Sequence, residues 1–210
     1  MIDLYTWTTP NGRKVSIALE EFGLDYQAHA IDIGKDEQFE PSFLAIAPNN
    51  RIPAIVDRDN GTAMMESGAI LLYLAEKTGQ LLSSEHDRRW STIEWLMWQM
   101  GGPGPMLGQV HHFVKFNAGV SDYAENRYLG EASRLYGVLD KRLSEHEYIV
   151  DDYSIADIAV WPWVSRFEWQ TIDLNEFPNV MRWYQAIAER PAVQRGYHVP
   201  KHVGDIPLPA

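Results

Sequence analysis

The pattern of apolar residues along the first 80 positions combines short strand-like runs with a helical period. Residues 2–5 and 25–31 have the composition of β-strands. Between these runs the apolar residues recur three or four positions apart, as they do on one face of a helix. Gly23 follows the last of them, where a helix C-cap is expected. The pattern therefore predicts a β-α-β unit at the start of the chain.

The next 50 or so residues predict a helix, a hairpin and a further helix. A helix is expected over residues 37–46. Apolar runs over 52–56 and 62–65 flank Asn60-Gly61, and an Asn-Gly pair in this position favours a hairpin. Ser67 then stands where the N-cap of another helix is expected. The order β-α-β-α-β-β-α is that of a thioredoxin-like α/β domain.

Beyond about residue 85 the chain consists of long amphipathic segments without clear strands. Helices are expected over four of these segments, 88–100, 124–143, 155–169 and 178–189. A cluster of glycine and proline after the first segment interrupts the helical pattern. We therefore predict a thioredoxin-like domain over residues 1–80, an all-α domain over 86–200 and a tail over 201–210, with weak packing expected from Tyr197 onwards.

The net charge of the chain limits the kinds of ligand that it is expected to bind. The 210 residues include 18 basic and 29 acidic side chains, which gives a formal net charge of −11. This charge disfavours binding to nucleic acids and to anionic membrane surfaces. No segment approaches the ~18 apolar residues of a membrane helix, and the N-terminus lacks the features of a signal peptide. A cytoplasmic protein is therefore expected, and an anionic small ligand would need local basic groups or helix N-termini.

The chain contains no cysteine. Structural disulfides, cysteine-ligated zinc, a cysteine nucleophile and a Cys-x-x-Cys redox pair are therefore all excluded. If the protein carries out thiol chemistry, the sulfur must be brought by a ligand.

The segment after the first predicted strand contains Thr9, Pro10, Asn11 and Gly12. Asn11-Gly12 fits a hairpin turn, but the helical period that follows favours a helix start at the carboxyl edge of the sheet, where anions bind. Thr9 and Asn11 could be only caps, or they could hold a ligand thiolate. Ionising a thiol at neutral pH requires its pKa to fall by about two units, or roughly 2.7 kcal/mol. One hydrogen bond to a charged sulfur and a helix end together contribute a similar amount.

Two other segments allow both a structural and a functional interpretation. Pro53 is either an ordinary trans proline at a strand start or a cis proline that lets the Ile52 backbone pair with a peptide-like ligand. Ser67 is either only an N-cap or, with the first amides of its helix, a site for a carboxylate. In the second interpretation Glu66 binds a nearby ammonium group, and the ligand is the amino-acid end of a γ-glutamyl group.

Two remaining motifs are expected to be structural. His111 and His112 are adjacent, so on a helix their side chains diverge by about 100°, and no carboxylate stands at ligand spacing. No metal is expected there or elsewhere in the chain. The segment from Ser154 to Asp157 has the form of a capping box with aspartate in place of glutamate.

The chain resembles the soluble glutathione transferases over nearly its whole length. The motifs that carry the resemblance are Pro10-Asn11-Gly12, Asn50-Arg51-Ile52-Pro53, Glu66-Ser67-Gly68-Ala69-Ile70 and Ser154-Ile155-Ala156-Asp157. Thr-x-Asn-Gly at the first helix and the long motif WQMGGPGPMLGQVHHF over residues 98–113 look like the bacterial nu class. Members of that class reduce disulfides with glutathione.

The resemblance implies a thioredoxin-like domain followed by an all-α domain, assembled as a homodimer. It also implies that Asn11 and Thr9 contact the sulfur of glutathione and that the Ile52 backbone pairs with the tripeptide before a cis Pro53. Most glutathione transferases use a tyrosine, serine or cysteine near the first helix to contact sulfur. The threonine and asparagine of this chain put simple conjugation of electrophiles in doubt as its main activity.

By the same resemblance, Glu66 and Ser67 bind the γ-glutamyl end, Gln38 makes a further contact with glutathione, and Arg127 faces a second glutathione or the disulfide. The implied mechanism is attack of a glutathione thiolate on a disulfide, so that all reacting sulfur is brought by ligands. Glutathione conjugation, peroxide reduction and noncatalytic glutathione binding are the alternatives.

Overall fold

The computed structural model describes residues 1–209, and within them the chain forms two compact units. The first unit contains Met1–Leu82 and Glu189–Ile206, and the second contains Ser83–Ala188 together with the residues from Pro207 on. The observed division differs from the predicted one, because residues 189–200 belong to the first unit and not to the helical one.

The first unit contains one mixed sheet. Its strands are β1 (Ile2–Thr6), β2 (Tyr26–Ala30), β3 (Ala54–Asp57) and β4 (Thr62–Met65), in the spatial order β2-β1-β3-β4. β1 is parallel to β2 and antiparallel to β3, and β3 is antiparallel to β4. In this register Leu4 lies opposite Ala28 on one side and Ile55 on the other. The predicted thioredoxin-like domain is confirmed.

The α-helices among residues 1–209 are divided between the two units. They are α1 (Pro10–Phe22), α2 (Pro41–Leu44), α3 (Ser67–Thr78), α4 (His86–Gly101), α5 (Pro103–Val110), α6 (Asp122–Leu143), α7 (Ile155–Val164), α8 (Pro178–Ala188) and α9 (Pro191–Tyr197). Among residues 1–209, each helix is too short or too polar to cross a membrane.

Contacts between α1 and α9 explain why the C-terminal segment joins the first unit. A Cβ at Gly196 would lie 2.6 Å from the Cα of Ile17, so the two helix backbones meet at this glycine. The Oγ of Ser16 donates to the Gly196 carbonyl oxygen at 2.7 Å, and Nε of Arg13 donates to that of Tyr197 at 3.0 Å. Tyr197 is fully buried. The prediction of weak packing from Tyr197 onwards is therefore wrong for Tyr197 itself. Position 210, the last of that predicted tail, lies outside the described residues.

Two predicted helices are shorter in the structure. The helix expected over residues 37–46 is a 3-10 turn, Glu37–Phe39, followed by the single turn of α2, because Pro41 has no N–H to continue a helix through it. The helix expected over 155–169 ends at Val164. There Oγ of Ser165 donates to the Pro162 carbonyl oxygen at 2.8 Å, and a separate 3-10 helix, Phe167–Gln170, follows.

The capping box at the start of α7 is present as predicted. Asp157 is fully buried and accepts hydrogen bonds from the backbone N–H groups of Ser154 (2.9 Å) and Ile149 (3.0 Å). It also accepts one from Nε1 of Trp183 at 2.8 Å. Burial raises the pKa of this carboxyl, and the hydrogen bonds oppose that rise. The aspartate thus connects three segments of the second unit.

The glycine and proline cluster interrupts the helices as expected, since α4 ends at Gly101 and α5 begins at Pro103. A π-helical turn, His111–Phe116, follows α5. The buried His111 ring stacks on Trp163 with centroids 5.5 Å apart, and its Nε2 lies 3.2 Å from Nε2 of Gln170. Burial lowers the pKa of His111 to about 4, so this histidine is a neutral core residue at physiological pH.

Candidate functional site

A polar pocket of about 240 Å³ lies in the first unit, at the start of α1, β3 and α3. Its lining residues are Asn11, Asn49, Arg51, Ile52, Pro53, Met65, Glu66 and Ser67. Five of the predicted site residues are therefore brought together here from three separate segments of the sequence. Thr9, Gln38 and Arg127 do not line this pocket.

The start of α1 places Asn11 in the pocket. Thr9 is the N-cap, and its hydroxyl accepts a hydrogen bond from the Gly12 backbone N–H at 3.2 Å. Pro10 occupies the first helical position, where its missing N–H costs nothing. Asn11 comes next, so its side chain lies beside the positive end of the helix dipole. The predicted helix start is correct, and the structural interpretation of Thr9 as a cap holds.

Gly12 lets the helix start approach the end of β1. A Cβ at this position would lie 2.5 Å from Oγ1 of Thr6 and even closer to the Trp7 carbonyl oxygen. Any larger residue would push the first turn of α1 away from the strand. The glycine therefore fixes where Asn11 stands relative to the sheet.

Ile52 and Pro53 form the second wall of the pocket. The peptide bond between them is cis, as the family resemblance implies. The Ile52 side chain packs against the apolar cluster of Phe43, Ala47 and Ala54. Strand pairing of β3 begins only at Ala54, so Ile52 stands just outside the sheet ladder. Its backbone is placed where an extended peptide could pair with it.

The third wall is the start of α3. Glu66 precedes the helix with φ 71° and ψ 112°, a left-handed conformation that is rare for glutamate and common at binding sites. Ser67 is the first residue of the helix and Glu66 is its N-cap, which corrects the prediction that Ser67 is the cap. The first helical bond runs from Ile70 N–H to the Glu66 carbonyl oxygen at 2.9 Å. The amides of Gly68 and Ala69 precede that bond and have no acceptor within the helix.

Lys14 is a site residue that the sequence analysis missed. Its side chain is fully buried, and Nζ donates to Oγ of Ser67 at 3.3 Å. Burial lowers the pKa of Lys14 to about 7, and the charge of Glu66 partly opposes that change. A signal was present, because Lys14 stands three positions after Asn11 and so shares its face of α1. A lysine inside an otherwise apolar helix face needs a polar partner.

Arg51 lines the pocket and Lys14 contacts its lining residue Ser67, so two basic side chains lie at this site in a chain of net charge −11. Glu66 provides one acidic group beside them, and Nδ2 of Asn49 lies 3.5 Å from its Oε1. The pocket thus combines helix amides and cations, which suit a carboxylate or thiolate, with one carboxylate that suits an ammonium.

Gln38 and Arg127 have different surroundings. Gln38 is buried in the 3-10 turn, where Nε2 donates to Oδ1 of Asp36 at 3.3 Å. Among residues 1–209, no group donates a hydrogen bond to its buried Oε1. Such an acceptor gains from a ligand that can donate to it. Arg127 lies on α6, in the second unit.

Family models match both units. Residues 8–77 match the glutathione S-transferase N-terminal domain, and residues 105–191 match the glutathione S-transferase C-terminal domain. The chain belongs to the glutathione S-transferase family. The resemblance to the soluble glutathione transferases is therefore confirmed, and so is the fold of a thioredoxin-like domain followed by a helical one.

Two curated family members cover most of the chain. It is 53% identical over 198 residues to the disulfide-bond oxidoreductase YfcG of Escherichia coli strain K12, covering 91% of this chain and 92% of that protein. It is 39% identical over 211 residues to the disulfide-bond oxidoreductase YghU of the same strain, covering 93% of this chain and 73% of that protein.

Two crystal structures of family members are also similar. A glutathione transferase from Pseudomonas putida, with one glutathione disulfide bound per subunit, superposes with a TM-score of 0.90 at 46% identity, covering 95% of this chain and 91% of its own. A glutathione transferase from Burkholderia graminis, with two glutathione molecules bound per subunit, has a TM-score of 0.91 at 45% identity. The match covers 96% of this chain and 89% of that chain.

Proposed function

We propose that this protein is a glutathione-dependent disulfide reductase and that Asn11 stabilises the glutathione thiolate. The observation that carries the proposal is the start of α1, where an asparagine and a helix N-terminus line a pocket in a chain without cysteine. The names of the two bacterial relatives support the reaction type. The ligands of the two similar crystal structures support glutathione as the thiol.

Different walls of the pocket bind the γ-glutamyl end and the middle of the tripeptide. Glu66 binds the γ-glutamyl ammonium, while Ser67 and the amides of Gly68 and Ala69 bind its carboxylate. Lys14 lies behind this carboxylate and holds the Ser67 hydroxyl in place. The Ile52 backbone pairs with the extended middle of the tripeptide, which directs the cysteinyl sulfur towards Asn11.

At the sulfur, the side-chain amide of Asn11 donates a hydrogen bond to the thiolate. A hydrogen bond to a charged partner contributes roughly 1.5–3 kcal/mol and a helix end about 0.3–1 kcal/mol. Their sum matches the roughly 2.7 kcal/mol needed to lower a thiol pKa by two units. The site therefore ionises the thiol without a general base, and Thr9 contributes by holding the helix start.

The reaction then proceeds by two exchanges. The glutathione thiolate attacks one sulfur of the disulfide substrate, forms a mixed disulfide and releases the other half as a thiolate. A second glutathione thiolate attacks the glutathione sulfur of the mixed disulfide and releases the remaining half. Two glutathione molecules are oxidised to one glutathione disulfide, and the substrate takes up two electrons and two protons. All reacting sulfur atoms are brought by ligands.

Several further features belong to this proposal. Gln38 accepts a hydrogen bond from glutathione through Oε1, and Arg127 binds a second glutathione or the disulfide substrate. Membership of the nu class, a cytoplasmic location and a homodimer are also proposed. The exposed apolar face of α4 supports the homodimer, since Trp90 and Met97 are 57% and 48% exposed at seven-residue spacing.

The test is a comparison of steady-state activities with glutathione. Rapid reduction of hydroxyethyl disulfide, with little conjugation of a chlorinated aromatic and little reduction of cumene hydroperoxide, supports the proposal. Faster conjugation or peroxide reduction would reassign the site to those reactions. Binding of glutathione without turnover of any disulfide would make the protein a noncatalytic binder.

A further inference from the structure

Two histidines and an aspartate meet just after α9, in the first unit and apart from the residues that line the pocket. One ligand atom each from His198, His202 and Asp205 lies within 4.8 Å of the other two. Nε2 of His202 and Oδ1 of Asp205 are 3.2 Å apart. The ring centroids of the two histidines are 4.2 Å apart, with an angle of 34° between the rings.

We propose that these three side chains bind a divalent transition-metal ion of the zinc class. Two imidazole nitrogens and one carboxylate oxygen, with a fourth position left for water, form a common open zinc site. Hard cations such as Mg²⁺ would prefer oxygen ligands throughout. The order His-x3-His-x2-Asp brings all three donors from eight consecutive residues.

The geometry requires only a small adjustment. In a tetrahedral site with metal bonds of about 2.0–2.2 Å, neighbouring ligand atoms lie ~3.4 Å apart. The His202 and Asp205 atoms already meet this spacing. The two distances from the His198 ligand atom to the others are at most 4.8 Å, so each must shorten by at most about 1.4 Å. A rotation of an imidazole about its side-chain bonds supplies such a movement.

Accessibility favours the same assignment. His202 is 60% exposed and Asp205 is 95% exposed, so an ion can reach them from solvent. The Nδ1 atom of His198 is buried and has no hydrogen-bond partner among residues 1–209. The His198 imidazole is thus not held by another protein group at that nitrogen, and it can turn to accept a metal.

Two cations lie near the cluster, each in contact with an aromatic ring, and the charge of Arg13 also acts on His198. The Arg13 guanidinium stacks 3.5 Å from the centre of the Tyr197 ring, and Nζ of Lys201 lies 4.0 Å from the centre of the Trp7 ring. Asp205 provides one compensating negative charge, and the net charge of the whole chain is −11. The Lys201 contact also places this segment next to the connection from β1 to α1. A bound ion would therefore stabilise the C-terminal segment of the first unit in its position next to this connection.

Isothermal titration calorimetry of the full, tag-free chain with Zn²⁺, after treatment with a chelator, tests the proposal. We expect one zinc ion per chain and no binding of Mg²⁺ under the same conditions. His202→Ala and Asp205→Asn each remove an exposed ligand and should weaken zinc binding at least tenfold. His146→Ala is the matched control, because His146 and Asp151 form a similar pair at 2.6 Å without a second histidine. It should bind zinc as the parent chain does.

A second readout is the midpoint of thermal unfolding. Zinc should raise this midpoint in the parent chain and in His146→Ala, and should have no such effect in His202→Ala. The proposal is overturned if the parent shows no saturable zinc binding. It is also overturned if His202→Ala and Asp205→Asn bind zinc as tightly as the parent, because the ion would then lie elsewhere.

Discussion

Nζ of Lys14 lies 3.3 Å from Oγ of Ser67, and both residues are buried. A buried lysine is costly unless its charge serves a partner. Here the hydroxyl it contacts stands at the helix start that we assign to the ligand carboxylate. Lys14 therefore affects both the stability of the first unit and the affinity of that unit for an anion.

The first prediction concerns the pH dependence of ligand affinity. The pKa of Lys14 is about 7, so in the empty site the ammonium loses its proton as the pH rises through neutrality. Binding of S-methylglutathione, which has no titrating thiol, should therefore weaken from pH 6 to pH 8.5 in the parent chain. Lys14→Met should bind more weakly at pH 6 and lose this dependence. Calorimetric dissociation constants across that range provide the measurement.

Lys35→Met is the control for this series, because Lys35 is 73% exposed and lies on a different segment. It should keep the pH dependence of the parent. If Lys14→Met kept the same slope, Lys14 would not be the group that senses the ligand.

The second prediction concerns stability. The pKa of Lys14 lies below its unfolded value of 10.5, so the unfolded chain binds more protons between about pH 7 and pH 10.5. The cost of burying Lys14 is therefore greatest below pH 7 and disappears as the pH rises towards 10.5. Lys14→Met should raise the free energy of unfolding at pH 7 by about 1–4 kcal/mol. Urea denaturation should show that this gain shrinks at pH 9.5, and a gain that grows with pH would contradict the assignment.

The third prediction concerns the glycine that lets α1 approach β1. Gly12→Ala forces a methyl group against Oγ1 of Thr6 and the Trp7 carbonyl oxygen. It should lower the free energy of unfolding by roughly 1–3 kcal/mol and weaken glutathione binding. Gly137→Ala on α6 is the matched control, since its methyl group meets no atom within 4 Å. That change should stabilise the chain by roughly 0.5–1 kcal/mol in denaturant titrations. Equal effects of the two changes would be evidence against a close approach at Gly12.

The fourth prediction concerns the second unit. If Arg127 binds the disulfide substrate, Arg127→Ala should raise the KM for hydroxyethyl disulfide roughly ten- to hundredfold, because a charged hydrogen bond of roughly 1.5–3 kcal/mol is lost. The KM for the first glutathione should stay the same. Arg134→Ala is the control on the same helix, because Arg134 is 58% exposed and pairs with Glu131. An unchanged disulfide KM in Arg127→Ala would remove this residue from the site.

Local patterns predicted most of the fold. The apolar period after Gly12, the Asn60-Gly61 turn and the Ser154 to Asp157 box each depend on neighbours in sequence, and each is present in the structure. The single turn of α2 differs from the prediction because Pro41 breaks a helix that the apolar period alone would continue.

Contacts between distant segments could not be read from local patterns. The packing of α9 on α1 joins residues about 180 positions apart, so no local pattern indicates that residues 189–200 belong to the first unit. The same holds for Lys14 and Ser67, which are 53 positions apart. The local chemistry of these segments and the family motifs both indicated five pocket residues, but not the buried lysine beside them.

The pKa of the glutathione thiol in the bound state tests the central claim most directly. It can be followed by the ultraviolet absorbance of the thiolate in the parent chain, in Asn11→Ala and in Asn49→Ala, which removes another amide from the same pocket. We expect a pKa near 6.5 in the parent, about two units below that of a free thiol. We expect a rise of roughly one to two units in Asn11→Ala and none in Asn49→Ala. A thiol that stays protonated at pH 7 in the parent complex, or that has the same pKa in Asn11→Ala, would contradict the account.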